Sequence, residues 1–275
     1  MGEFKSKSPF EYASPEAIPA QDIIDLFVPV FGEYYNLPSP GHTFIHGPRG
    51  SGKSMMFRYM TPECQILSKN CSIKELDYFA VLVPIKEGRI KKHVLQVLNG
   101  RHAEFRLNEH YMVVNVMFKL LEKLEINEFV KSEKLNVEVK KFYENTFLEL
   151  LELARWKEEI DTTKIKTAEE YFSIMKKTMN RINMSFTFDV LNKLSENPID
   201  FAYHGCLCLF NEFLLEFIKE LKKLDFMPNG PIYLMIDDAD NLSLTQTKVL
   251  NTWVSLRTSK FLSFKISTQL NYSTY

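Results

Sequence analysis

The run Gly47-Pro48-Arg49-Gly50-Ser51-Gly52-Lys53-Ser54 fits the pattern G-x-x-x-x-G-K-S, and it follows Thr43-Phe44-Ile45-His46, a short apolar run that reads as a strand. No other feature restricts the fold as much, because the pattern works only as a loop between a buried strand and the start of a helix. Phosphate oxygens must approach bare backbone N–H groups closely, and glycines at the bends let a chain curl around an anion. Gly47, Gly50 and Gly52 give that freedom, with Pro48, Arg49 and Ser51 completing the loop. Lys53 can reach the β and γ phosphates, and the Ser54 hydroxyl can take one Mg²⁺ position. A helix starting near Gly52 aims its positive dipole end at the anion. A chance match in a glycine-containing turn is the competing account. The preceding strand and the helix-forming Met55-Met56-Phe57-Arg58-Tyr59-Met60 count against it. The expected ligand is a nucleoside triphosphate with Mg²⁺.

Such a site needs a sheet, and 275 residues that are 45% apolar and 13% aromatic fit one large α/β domain or two small ones. With 34 basic and 35 acidic residues the net charge is −1, so no global field draws the chain to nucleic acid or an anionic membrane. No stretch reaches the length of a membrane span, and Met1-Gly2-Glu3-Phe4-Lys5-Ser6-Lys7 lacks the apolar core of a signal peptide, which predicts a cytoplasmic protein.

Four cysteines, Cys64, Cys71, Cys206 and Cys208, are too few for a disulfide framework in a chain with its own core, so buried free thiols are expected. Cys206-Leu207-Cys208 beside His204 invites a metal reading. On a helix, however, C-x-C splays the thiols apart, and no second ligand pair has zinc spacing. His102-Ala103-Glu104 matches half of a zinc-deaminase signature but lacks its P-C-x-x-C partner.

Residues 1–40 carry Pro9, Pro15, Pro19, Pro29, Pro38 and Pro40 and read as a lead-in with short helices starting at Ser14-Pro15 and Gln21-Asp22. Residues 41–100 form the first part of a nucleotide-binding core. Its second strand is the apolar run Tyr78–Ile85, continuous as expected for a strand buried on both faces. Residues 101–225 are helical in pattern. Val113, Val116, Met117, Leu120, Leu121 and Leu124 recur at helical spacing, and Thr167-x-x-Glu170 makes a capping box before Tyr171–Arg181. Leu207, Phe210, Leu214, Phe217, Leu221 and Leu224 form one stripe, predicting a core helix of about 20 residues. Residues 226–275 return to the core.

In that last part Pro231–Asp240 is an apolar strand ending in acids. An acid at the carboxyl end of a parallel strand beside the loop can hold Mg²⁺ through its water shell, a task for Asp237. Asp238 then faces the γ-phosphate. Where additional-strand ATPases usually carry Glu to polarise the attacking water, the shorter Asp238 must reach further, which predicts slow or conditional hydrolysis. Leu244–Thr258 reads as a helix, and Phe261–Thr268 as a strand ending in small hydroxyls. Thr268 is the first choice and Ser267 the second for a group that hydrogen-bonds the γ-phosphate. Arg257, the basic run Lys86–His93 and the Lys164, Lys166, Lys176, Lys177 cluster all have the simpler reading of solvated charge.

Together Thr43–Ser54, Ile236-Asp237-Asp238-Ala239-Asp240 and Lys265-Ile266-Ser267-Thr268 resemble bacterial origin-recognition-like AAA+ ATPases, with signal-transducing (STAND) ATPases as close relatives. Ser8–Glu16 adds to the resemblance, while the helical middle is largely unmatched. The resemblance implies a three-layer α/β/α P-loop NTPase of the additional-strand type with a large helical insertion and strand order 5-1-4-3-2. It also implies an ATP-switched module with Lys53 on the phosphates, Ser54 and Asp237 on magnesium, Asp238 as the catalytic acid position and Thr268 as sensor 1. Some relatives act in replication initiation or antiviral defence. With Tyr275 just past the sensor strand, the expectation is a fragment or half of a split protein. Its site would be completed by a protein partner or another copy.

Two other functions fit the loop. A DNA-binding initiator or clamp-loader relative would bind DNA with a steep salt dependence. A small-molecule P-loop kinase would transfer phosphate to a metabolite. A GTPase is disfavoured because Thr247-Lys248-Val249-Leu250 lacks the acid that reads guanine, and no L-S-G-G run precedes the acidic strand as an ABC-type ATPase requires.

Overall fold

The computed structural model describes residues 18–28, 34, 36–85, 104–125, 133–196, 203–255 and 260–269. Expectations for Ser8–Glu16, Lys86–His93, His102 and Arg257 lie outside the described residues. Four strands, β1 (Thr43–His46), β2 (Phe79–Pro84), β3 (Ile232–Asp237) and β4 (Leu262–Thr268), form one sheet in the order β1-β4-β3-β2. Every pairing is parallel. This is the 1-4-3-2 part of the expected order. Parallel strands covered on both sides must be apolar throughout, and β3 is buried at every position while β2 is buried at all but its last.

The helices are α1 (Ala20–Leu26), α2 (Lys53–Met60), α3 (Pro62–Lys69), α4 (Glu104–Leu124), α5 (Glu133–Phe142), α6 (Leu148–Leu153), α7 (Ala168–Glu196), α8 (Glu216–Leu221) and α9 (Leu244–Ser255). Alternation along the strands divides the core between two layers. Met56, Phe57 and Met60 of α2 pack with Ala80, Leu82, Tyr233 and Met235 on one face. On the other face Phe79, Val81, Leu234 and Phe264 share a cluster with α4, α7 and α9 that runs into the helical segment without a break. The result is helix, sheet, helix. Among the described residues no helix is long and apolar enough to cross a membrane.

Two helices differ from their sequence patterns. The capping box is present: Glu170 N–H donates to Thr167 Oγ1 at 3.2 Å and Thr167 N–H to Glu170 Oε2 at 3.0 Å. The helix it starts continues to Glu196, well beyond Arg181. The helix predicted over Leu207–Leu224 instead begins at Phe210, with a π-helical turn over Phe210–Leu215 that leads into α8. Its first turn is lost because tertiary partners claim the backbone. Leu207 N–H donates to Ala154 O at 3.0 Å, and Cys208 N–H donates to His110 Nδ1 at 2.9 Å. Cys206 and Cys208 are therefore off the helix, and their sulfurs stand 3.8 Å apart rather than splayed. Both thiols are buried and free as expected, and burial pushes His110 down to about 3, keeping its ring neutral. Among the described residues no cluster of three or more His, Cys, Asp or Glu side chains is arranged to hold a metal ion.

Lys265, in the middle of β4, is wholly buried. Its Nζ donates to Ser39 O at 2.7 Å, Gly41 O at 2.9 Å and Thr43 Oγ1 at 3.0 Å, and stands 4.6 Å from the Tyr233 ring centroid. It ties the loop ahead of β1 to the sheet. Burial pushes its ammonium down to about 8. The unfolded chain holds this proton more tightly, so stability rises with pH between the folded and unfolded values. From pH 8 to 9.5 the wild type should gain about 1 to 2 kcal/mol relative to Lys265→Met in denaturant unfolding. A pH-independent difference would rule out a buried, proton-releasing lysine.

Candidate nucleotide site

The loop at Gly47–Ser54 joins β1 to α2 at the carboxyl end of the sheet. Gly50 and Gly52 take φ 84°, a region that side chains disfavour, and Gly52 is the residue before α2, where that turn redirects the chain into the helix. Gly47 has no positive φ, so the loop's left-handed turns come from Gly50 and Gly52 alone. Lys53 is buried and its Nζ donates to Gly47 O at 2.7 Å, Pro48 O at 3.0 Å and Ser51 Oγ at 3.3 Å. These contacts fold the loop around its own ammonium. Ser54 follows, half-buried in the first turn of α2, while Pro48, Arg49 and Gly50 are exposed.

Sheet pairing brings residues from three distant stretches to this end. His46 pairs with Thr268, and Gly47 N–H donates to Thr268 O at 3.3 Å, so the end of β4 lies directly beside the start of the loop. Asp237 ends β3 at 1% exposure, and the Ser267 hydroxyl is hydrogen-bonded to its Oδ1. Asp238 N–H donates to both Asp237 Oδ1 at 3.1 Å and Ser267 Oγ at 3.0 Å. Asp238 itself is left-handed at φ 55°, ψ 44°, a conformation that Asp and Asn tolerate better than most residues. The turn continues through Ala239–Asn241, where Asp240 Oδ1 accepts the Gln269 N–H at 3.2 Å.

Alternation then sorts the candidates by face. Tyr233 and Met235 lie on the α2 side, which places Asp237 there too, and its bond to Ser267 puts that hydroxyl on the same side. Thr268 falls on the opposite side with His46, whose neighbour two residues back, Phe44, packs against the α4 and α9 layer. The two hydroxyls that the sequence ranked first and second, Thr268 and Ser267, therefore have different partners. Ser267 is bound to the Asp237 carboxylate, and Thr268 Oγ1 lies 2.6 Å from His46 Nδ1. His46 was not a candidate from sequence; the available signal was a polar residue ending an apolar strand directly before the first glycine.

The donor set suits a magnesium nucleotide. A hydroxyl, a buried carboxylate held by two hydrogen bonds, and a lysine within a backbone-lined loop supply one charge of each sign at the end of a parallel sheet. Ser54 and Asp237 are the residues that would hold the metal, which would supply positive charge to offset that of the phosphates.

Comparison with curated proteins and with solved structures gives no match. A family model does match: the one described as ORC-CDC6-like, over residues 8–275. That span takes in the loop, all four strands and the helical segment between β2 and β3, so the agreement does not rest on the phosphate loop alone. The chain belongs to the ORC-CDC6-like family of AAA+ ATPases.

Proposed function

We propose that the protein is a nucleotide-dependent switch that binds Mg-ATP and hydrolyses it slowly or conditionally. The observation that carries this reading is the strand order β1-β4-β3-β2, which sets the loop 47–54, Asp237 and Thr268 at one end of the sheet. Lys53 and the backbone N–H groups of the loop bind the phosphates, and Ser54 and Asp237 bind the metal. Asp238 takes the position from which a carboxylate orients the attacking water. Thr268 donates to the γ-phosphate as its charge develops. The slow rate follows from the length of Asp238. Its carbon chain is one methylene shorter than the Glu usual at this position, and its backbone is fixed by two hydrogen bonds from its own N–H.

The edge of β1 away from β4 carries no partner strand among the described residues, which supports a switch read out by a neighbouring protein or a second copy.

Asp238→Asn tests the hydrolytic part. Asn tolerates the same left-handed backbone, so the turn and both N–H hydrogen bonds persist while the carboxylate is lost. Single-turnover cleavage of Mg-ATP should fall about 10²-fold or more with ATP affinity unchanged. Equal rates would remove Asp238 from the chemistry.

A further inference from the structure

We infer that His46 is a positioning residue for ATP cleavage: through its hydrogen bond to Thr268 it decides whether the Thr268 hydroxyl proton points at the nucleotide. The inference rests on the proposed reading of Thr268 as the group facing the γ-phosphate.

Thr268 is held from two directions. Its carbonyl accepts the Gly47 N–H at 3.3 Å, and its hydroxyl lies 2.6 Å from His46 Nδ1. The side chain is fully buried, whereas His46 is exposed at the end of β1. The His46 ring lies nearly parallel to Phe44, 8° between planes with centroids 6.3 Å apart.

A threonine hydroxyl has one proton to donate and lone pairs to accept with. If His46 Nδ1 is unprotonated, it accepts that proton, and Thr268 can only accept from any other partner. A phosphate oxygen is itself an acceptor, so Thr268 then has nothing to give it. If Nδ1 carries the ring proton, His46 donates to Thr268 Oγ1 and the hydroxyl proton is released toward the phosphate. The tautomer is set by what the nitrogens face. An acceptor arriving at Thr268 favours the second arrangement, giving a chain Nδ1–H to Oγ1, Oγ1–H to phosphate oxygen. In the change of tautomer the Nε2 proton passes to solvent and Nδ1 takes one from it, which the exposure of His46 allows, and no other covalent bond changes. His46 acts through Thr268.

His46→Phe keeps an aromatic ring against Phe44 and removes both nitrogens, while His46→Asn places an amide near the position of Nδ1. His46→Phe should slow single-turnover Mg-ATP cleavage about 10²-fold while ATP affinity stays unchanged, and His46→Asn should recover most of the rate. Nitrogen NMR of ¹⁵N-histidine-labelled wild type should show His46 Nδ1 unprotonated without nucleotide and protonated with ADP–beryllium fluoride.

Wild-type cleavage by His46→Phe, alongside loss of cleavage by Thr268→Val, overturns the role of His46 and leaves the reading of Thr268 intact. Wild-type cleavage by Thr268→Val overturns both. Should His46→Phe fail to fold, the nitrogen signal decides, and an Nδ1 in the same protonation state with and without the analogue overturns the inference.

Discussion

Replacing Lys53 by alanine should abolish the stabilisation that Mg-ATP gives the wild-type chain. A ligand that binds only the folded state at about 100 times its Kd adds about 2.7 kcal/mol, visible as a rise in Tm. Lys53→Ala should show almost none of it and cleave ATP at least about 10²-fold more slowly. The size of the effect follows from what Lys53 does in the folded loop. Its Nζ holds Gly47 O, Pro48 O and Ser51 Oγ, so its loss removes both the positive charge and the clasp that gives the loop its curvature. Without nucleotide the variant should fold normally, since α2 keeps Met56, Phe57 and Met60 in the core. If Mg-ATP shifts the melting of neither protein, nucleotide binding at this loop is disproved.

The second large effect is on stability. Glu63 of α3 receives Arg58 of α2 and Lys123 of α4 on the same carboxylate oxygen, and all three side chains are 11% to 16% exposed. Arg58 also donates to Thr61 Oγ1 at 2.9 Å and Ile18 O at 3.3 Å, so one acid ties the phosphate-loop helix to the helical segment and the N-terminal chain. Glu63→Ala would leave two neighbouring cations without their counter-charge. Breaking such a buried group from one side should cost about 3 kcal/mol, a Tm loss of about 6 to 12 °C.

The pH dependence has a definite sign. Burial alone would raise the Glu63 carboxyl, but the Lys123 and Arg58 charges outweigh it and hold the group below its ordinary value. A depressed folded value stabilises above the unfolded pKa and is lost as pH falls through the folded one. The advantage of wild type over Glu63→Ala should therefore be complete above about pH 4.5 and shrink in acid. A difference that stays constant down to acid unfolding would disprove the charge account.

Local chemistry made part of this protein legible in advance. The loop 47–54 needs its glycines and lysine wherever it occurs, the continuous apolar runs at β2 and β3 announce strands covered on both faces, and Thr167 with Glu170 announces a helix start. Each is a short-range pattern whose cause lies within a few residues. The helix predicted through Cys206-Leu207-Cys208 failed for the opposite reason. Its stripe of apolar residues was read correctly as buried, but burial does not require a helix when His110 and Ala154 supply the hydrogen bonds instead.

What the sequence by itself determined is the glycine loop between β1 and α2, the acidic strand end at Asp237-Asp238 and the parallel α/β class. What only the tertiary structure decided is which side chain faces which. Ser267 and Thr268 are adjacent hydroxyls in sequence, yet strand alternation sends one to Asp237 and the other to His46, more than 200 residues away in the chain. Lys265 is a charged residue inside an apolar strand run, and only the structure shows it buried against carbonyls from the other end of the chain. The physical reason is common to both. A strand's register fixes the direction of each side chain, and register comes from pairing with distant strands that no local pattern encodes.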